Sequence, residues 1–213
     1  MKEKINNKIS NFFIIIGTML LFVALFLIVF NIHQDNESGE SANLVMGELK
    51  ENIKEMSENY TVPLEEETET QNEEIPVETL IEIDGNTYIG FISIPELSLE
   101  LPVMSEWNYD NLKISPCRYK GTAFDGNLII AAHNYQTHFG RLKEIYNGLK
   151  IYFTDGDGKV REYEIQQVET IDGQDIEAME LGSDDTWDLT LFTCTVGGAS
   201  RVTVRAVEVK NNK

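Results

Sequence analysis

One unbroken apolar stretch near the start of the chain, and a series of short alternating apolar runs far downstream, divide this sequence into unlike parts. Residues 12–30 read FFIIIGTMLLFVALFLIVF, nineteen positions without a charge, which is the length one α-helix needs to cross a hydrocarbon core. Lys2, Lys4 and Lys8 precede the run, while Asp35, Glu37 and Glu40 follow it. The cationic flank predicts that residues 1–11 stay cytoplasmic and that the rest is exported, a single-pass type II arrangement in the cell membrane with the folded part outside. A cleavable signal peptide is the competing reading, but the run is longer than an h-region and no A-x-A site follows it before Asp35.

Residues 31–79 turn to Glu, Asn, Thr and Ser, with Glu65, Glu66 and Glu67 in succession. Such a composition predicts an acidic stalk rather than a core. Within it Val45, Leu49, Ile53 and Met56 recur at helical spacing, which suggests a short amphipathic helix. From residue 80 onward the pattern becomes short apolar runs rich in β-branched residues and separated by turn signals. These predict strands over residues 79–83, 87–94, 99–103, 127–132, 150–154, 159–171, 188–194 and 201–209. Asp84-Gly85-Asn86 and Asp155-Gly156-Asp157-Gly158 have hairpin chemistry, because Gly, Asn and Asp accept positive φ. Phe139, Leu142, Ile145 and Leu149 share one helical face and predict a short helix. The expected fold class is mostly β, a single domain over residues 80–213 that closes into a barrel to hide its strand edges.

Charge narrows the range of partners. The chain carries 36 acidic and 17 basic residues for a net charge of -19, and a domain this anionic repels phosphate backbones, so nucleic acid is excluded as a natural partner. Two cysteines, Cys117 and Cys194, are too few for a disulfide scaffold or a Cys-rich zinc site. They form one pair, or at least one of them is a working thiol.

The candidate chemistry lies in the last two runs. Asp188-Leu-Thr-Leu-Phe-Thr-Cys194 enters a six-residue connection and Arg201-Val-Thr-Val-Arg205 returns from it. A hairpin of that length makes Cys194 and Arg201 cross-strand neighbours on one face, with Cβ atoms about 4.5–5.5 Å apart. An adjacent fixed cation favours thiolate over thiol and can donate hydrogen bonds to an oxyanion. Arg205 lies on the same strand face but roughly 13 Å further along, which makes it the poorer candidate.

A thiol nucleophile needs a proton partner, and there are three histidines. His33 sits beside the membrane run. His138 opens the expected helix, where a structural cap is the simpler role. His133 ends the apolar run Asn127-Leu-Ile-Ile-Ala-Ala132, where a buried strand emerges, and is the candidate. No pair among Cys117, His133, His138 and Cys194 has the short ligand spacing of known zinc sites, so no metal is expected. Asn134, Asp185 and Asp188 are all available to orient His133, and spacing selects none of them.

These segments resemble the sortases, the membrane-anchored cysteine transpeptidases of Gram-positive bacteria. Thr190-Leu-Phe-Thr-Cys194 looks like that family's Thr-Leu-x-Thr-Cys motif, Arg201-Val-Thr-Val-Arg205 like the strand whose first residue is its active-site arginine, and Asn127 to His133 like the strand carrying its histidine. Residues 89–103 are similar to its early strand pair, and residues 119–124 to the loop leading to the histidine. The resemblance spans about residues 90–207 in the family's order. It implies an eight-stranded sortase-type barrel with one or two short helices and with Cys194, His133 and Arg201 as the catalytic residues. Cys194 would attack a peptide bond in the C-terminal sorting signal of a surface protein, and the resulting thioester would pass to an amine of a peptidoglycan precursor or a pilin, with no cofactor. Sortase subclass and sorting motif stay open. The rival readings are a membrane-anchored cysteine endopeptidase, which lacks here a Gly-x-Cys-Gly-like oxyanion turn, and an inactive surface-binding barrel. Cys117 is expected to be a surface or half-buried free thiol.

Overall fold

The β-branched runs form strands because their side chains pack well on a pleated, half-buried surface. In the computed structural model of the protein, which describes residues 2–59, 78–181 and 187–210, they are β1 (Ile81–Ile83), β2 (Asn86–Ile94), β3 (Leu99–Met104), β4 (Cys117–Lys120), β5 (Leu128–Ala132), β6 (Lys150–Asp155), β7 (Val160–Asp172), β8 (Leu189–Cys194) and β9 (Ser200–Glu208). The order across the sheet is β1-β2-β3-β4-β5-β8-β9-β7-β6, and β6 pairs back onto β2. That pairing closes β2 to β9 into an eight-stranded barrel and leaves β1 as an extra strand on β2. The mostly-β barrel expected from the sequence is therefore present.

Two turns show how local chemistry sets the register. Ile83 pairs with Asn86 across Asp84 and Gly85, whose φ angles of 50° and 75° are those of a two-residue hairpin turn. At the closing seam Gly90, opposite Asp155, has φ 138°, and a Cβ on it would lie 1.9 Å from the carbonyl oxygen of Thr154. Only glycine lets β2 and β6 approach there. The β6–β7 turn is held by Asp155, whose carboxylate accepts from the backbone N–H groups of Asp157 and Lys159 and from Arg161 Nη1 at 2.7 Å.

Alternation sorts side chains to two faces. Ile92, Leu101, Leu128, Ile130, Phe153, Leu189, Leu191 and Val204 belong to one buried cluster, the barrel interior. Tyr88, Met104, Cys117, Ile129, Ala131 and Phe192 face the other way into a second cluster. β5 is buried at every position, which explains why it reads as a continuous apolar run: it is covered on both faces and pairs in parallel with β8.

The long helix α1 (Lys2–Asn59) belongs to two compact units, divided after Glu37. In the first unit the side chains of residues 12–30 are all exposed, and this is the one helical stretch among the described residues long and apolar enough to cross a membrane. In the second unit Met46, Leu49 and Ile53 are buried in the outer cluster and Ala42 in the interior cluster. The stretch expected to stand as a stalk is thus packed on the barrel over this part. Its overall composition is polar, but its apolar side chains fall on a single stripe, and that stripe is what the barrel covers. Val45 is partly buried against the outer cluster and Met56 is exposed. Residues 60–77 of the expected stalk lie outside the described residues.

The helix expected over residues 139–149 is replaced by a single 3₁₀ turn, Leu142–Glu144. Phe139, Leu142 and Ile145 are buried in the interior cluster all the same, so the apolar spacing reported burial and not α-helix. Ile145 is already extended and Gly148 sits at φ 90°, which leaves no room for further turns. Two short helices are α2 (Asn111–Ile114) and α3 (Ile176–Leu181).

Candidate active site

β8 turns Leu189, Leu191 and Thr193 one way and Thr190, Phe192 and Cys194 the other. In the antiparallel pairing with β9, Cys194 lies opposite Arg201, Phe192 opposite Thr203 and Thr190 opposite Arg205. The predicted cross-strand pair is therefore in register. In the parallel pairing with β5, Ala131 aligns with Phe192 and Ala132 with Thr193. His133 is the first residue after β5, and Cys194 is the last residue of β8. Cys194 and Arg201 thus sit side by side on neighbouring strands about 4.8 Å apart, and His133 follows directly on the end of β5, the strand on the other side of β8.

The β8–β9 loop is tight. Thr195 N–H donates to Ser200 O at 2.9 Å, Gly198 N–H to Thr195 O at 2.8 Å, and Gly197 and Gly198 take φ of 89° and 75°. Nη1 of Arg201 donates to Gly198 O at 2.8 Å and to Ser200 O at 3.1 Å. The guanidinium is thereby tethered at one nitrogen. Its Nε and Nη2 make no hydrogen bond among the described residues and stay available as donors.

His133 is half-buried, with its ring 4.9 Å from that of Tyr135. Burial, and secondarily the cation of Lys113, hold its imidazole below the usual histidine range. A neutral ring at neutral pH follows. Neither Lys113 nor Tyr135 is singled out by the sequence pattern; Tyr135 stands two residues after His133, a spacing that carries no signal by itself.

The other residues weighed from sequence have different surroundings. Arg205 is fully buried and engaged: Nη1 donates to Met179 O at 2.7 Å and Thr190 Oγ1 at 3.0 Å, Nη2 donates to Ala178 O, and Nε meets Glu169 at 3.2 Å. It ties α3 and β7 to β8 and is not a free cation. Cys117, expected at or near the surface, is fully buried on β4, and burial pushes its thiol up to about 12. Both cysteines are free. His138 is fully buried, with Nε2 3.0 Å from Ser38 Oγ. Asp188 accepts from Glu208 N–H at 2.7 Å at the far end of β8 from Cys194, too distant to orient His133. Asp185 lies outside the described residues. Among the described residues no group of three or more His, Cys, Asp or Glu side chains is placed to hold a metal ion.

Fold and register together describe a closed β-barrel protein with a half-exposed thiol beside a guanidinium, and an imidazole just past the end of the strand that neighbours the thiol's. The family model for the sortase domain matches residues 92–209, more than half of the chain, and the chain belongs to the sortase family. It is 32% identical over 117 residues to sortase A of Bacillus anthracis, covering 53% of this chain and 54% of that protein, so it spans about half the length of that relative. Among solved structures it is similar to sortase C1 of Streptococcus suis (24% identity, TM-score 0.51, 58% of this chain and 74% of that one). It is also similar to sortase C-3 of Streptococcus pneumoniae (20% identity, TM-score 0.53, 83% and 90%). At these identities the structural likeness speaks for the fold.

Proposed function

We propose that this chain is a cysteine transpeptidase that acts outside the cell membrane while anchored in it by residues 12–30 as a type II protein. The observation that carries the reading is the register of Cys194 with Arg201, next to the pairing of Thr193 with Ala132, the residue before His133. The neutral imidazole of His133 takes the proton of the Cys194 thiol, becoming imidazolium, as the sulfur attacks a carbonyl carbon within the C-terminal sorting signal of a surface protein. The oxyanion that forms is met by the free donors of Arg201. Collapse of the tetrahedral adduct breaks the peptide bond, and the imidazolium of His133 gives its proton to the departing amine. A thioester on Cys194 remains. The neutral imidazole then takes a proton from the incoming amine, of a peptidoglycan precursor or a pilin, as that nitrogen attacks and expels the thiolate. Each proton is returned within one cycle, so no cofactor enters.

The depressed basicity of His133 supports this role, since a ring that is neutral at pH 7 is ready to accept the proton of the attacking amine. The test is to incubate the full chain in detergent micelles with sorting-type peptides and an amine acceptor and to weigh the products. Amide-linked conjugates that vanish in Cys194→Ala support transpeptidation. Hydrolysis without conjugation points to an endopeptidase, and undiminished product in Cys194→Ala removes the mechanism.

A further inference from the structure

The loop that carries His133 is gripped by the second unit's portion of α1. Ser38 Oγ donates to the Lys113 carbonyl at 2.5 Å and lies 3.0 Å from His138 Nε2. A hydroxyl has one proton to give, so with that proton on Lys113 the imidazole of His138 is the donor in the second contact. Ser38 and His138 are both buried. At the next residue, a Cβ on Gly39 would lie 2.7 Å from Cγ2 and 2.8 Å from Cβ of Thr137. α1 thus approaches residues 137–138 as closely as bare backbone allows. One turn on, Ala42 is fully buried in the same cluster as Phe139.

From that grip a chain of contacts leads to the candidate site. The ring of His138 is 5.6 Å from that of Tyr135, and Tyr135 is 4.9 Å from that of His133. The loop is folded on itself, with Phe139 N–H donating to His133 O at 3.2 Å and Gly140 N–H to Tyr135 O at 2.8 Å. A displacement at residues 137–138 is therefore passed to residue 133 and not absorbed between them.

We infer that Ser38 and Gly39 are positioning residues for His133, acting through His138, Thr137 and Tyr135 to fix the imidazole against Cys194. The part of α1 beyond the membrane-spanning stretch is then a component of the active site and not a spacer. This rests on the reading of His133 as the proton-transfer group, but the placement of its ring can be measured separately from turnover. The helix is also held by the burial of Met46, Leu49 and Ile53 in the outer cluster. Removing a single hydroxyl leaves those contacts in place, so Ser38→Ala isolates positioning from attachment.

The experiment uses the full chain in detergent micelles, comparing wild type, Ser38→Ala and Gly39→Ala. The His133 ring proton is titrated by NMR, assigned by its loss in His133→Ala, and turnover is followed with peptide and amine. The charged or titratable groups bearing on His133 are Lys113, ion-paired to Asp110 at 2.8 Å, the adjoining Tyr135, and, on the reading above, Cys194 and Arg201; all are kept. The expected result is a His133 midpoint moved up toward the ordinary histidine value, and kcat reduced by about 10- to 100-fold. KM and Cys194 alkylation should be little changed, while the melting temperature falls by about 2–4 °C or more as buried partners lose their bond. A His133 titration unmoved in both variants overturns the inference, whether or not stability falls. A moved titration in a chain whose wild type forms no conjugates supports the positioning and overturns the transpeptidase reading instead.

Discussion

The hydroxyl of Thr193 donates to the carbonyl of Ala132 at 2.8 Å, tying the residue before Cys194 to the residue before His133. Both groups are buried, so this bond clamps β8 to β5 at the level where thiol and imidazole leave their strands. Thr193→Val keeps the shape and removes the donor. It is expected to cost about 0.5–1.5 kcal/mol, a drop in melting temperature of about 2–4 °C, and to lower kcat about tenfold through loosened alignment. Thr193→Ser should retain most of both. Calorimetry with steady-state kinetics on the two variants checks this, and a loss in Ser with none in Val would assign the effect to the methyl group.

The two thiols should differ sharply in reactivity. Cys117 is enclosed, its Sγ 3.4 Å from the Ser115 carbonyl, and burial raises its pKa to about 12. Cys194 is partly exposed beside Arg201. Iodoacetamide on the native chain should add one label, at Cys194, and a second only after denaturation. Peptide mapping of the labelled protein decides it; early label on Cys117 would mean the outer cluster opens.

Arg201 and Arg205 stand four residues apart on the same strand face and should fail in different ways. Arg201→Lys keeps a charge but not the guanidinium fork, so conjugation should fall at least tenfold while the urea midpoint stays within error. Arg205→Met leaves Glu169 and the carbonyls of Ala178 and Met179 without their donor. It should cost about 3–5 kcal/mol, the usual penalty for breaking a buried charged network. Urea titration of both variants separates them.

How much of this was legible in the chain depends on whether the signal was local. The Cys194 and Arg201 pairing follows from a short hairpin alone, and the β5 run announces burial on both faces. β4 escaped notice because Cys117–Lys120 has only four residues, two of them cationic, and owes its strand form to pairing with β3 and β5. The apolar stripe at residues 139–149 gave the right buried side chains and the wrong backbone, since helical spacing marks a shared face and not the hydrogen bonds that produce it. Ser38 and Lys113 carried no signal: their relation to the histidine loop spans a hundred residues of chain in one case and is electrostatic in the other.

His133 gives the final test, through pH. Its imidazole is held below the ordinary value of 6.5, first by burial and then by Lys113. Between the two values the unfolded chain binds a proton that the folded chain refuses. The stability from this group is therefore complete above about pH 6.5 and is lost as pH falls toward the folded value. Lys113→Gln removes the cation and leaves the burial, so the folded value should rise toward 6.5 without reaching it, and the loss of stability on acidification should become shallower. If the working pair is thiolate and imidazolium, the same change raises the imidazolium fraction at neutral pH and so increases kcat/KM. The histidine limb of the pH–rate profile, read beside acid unfolding of both proteins, checks the two consequences together, and a limb that moves downward would show that Lys113 does not act on His133 as a charge.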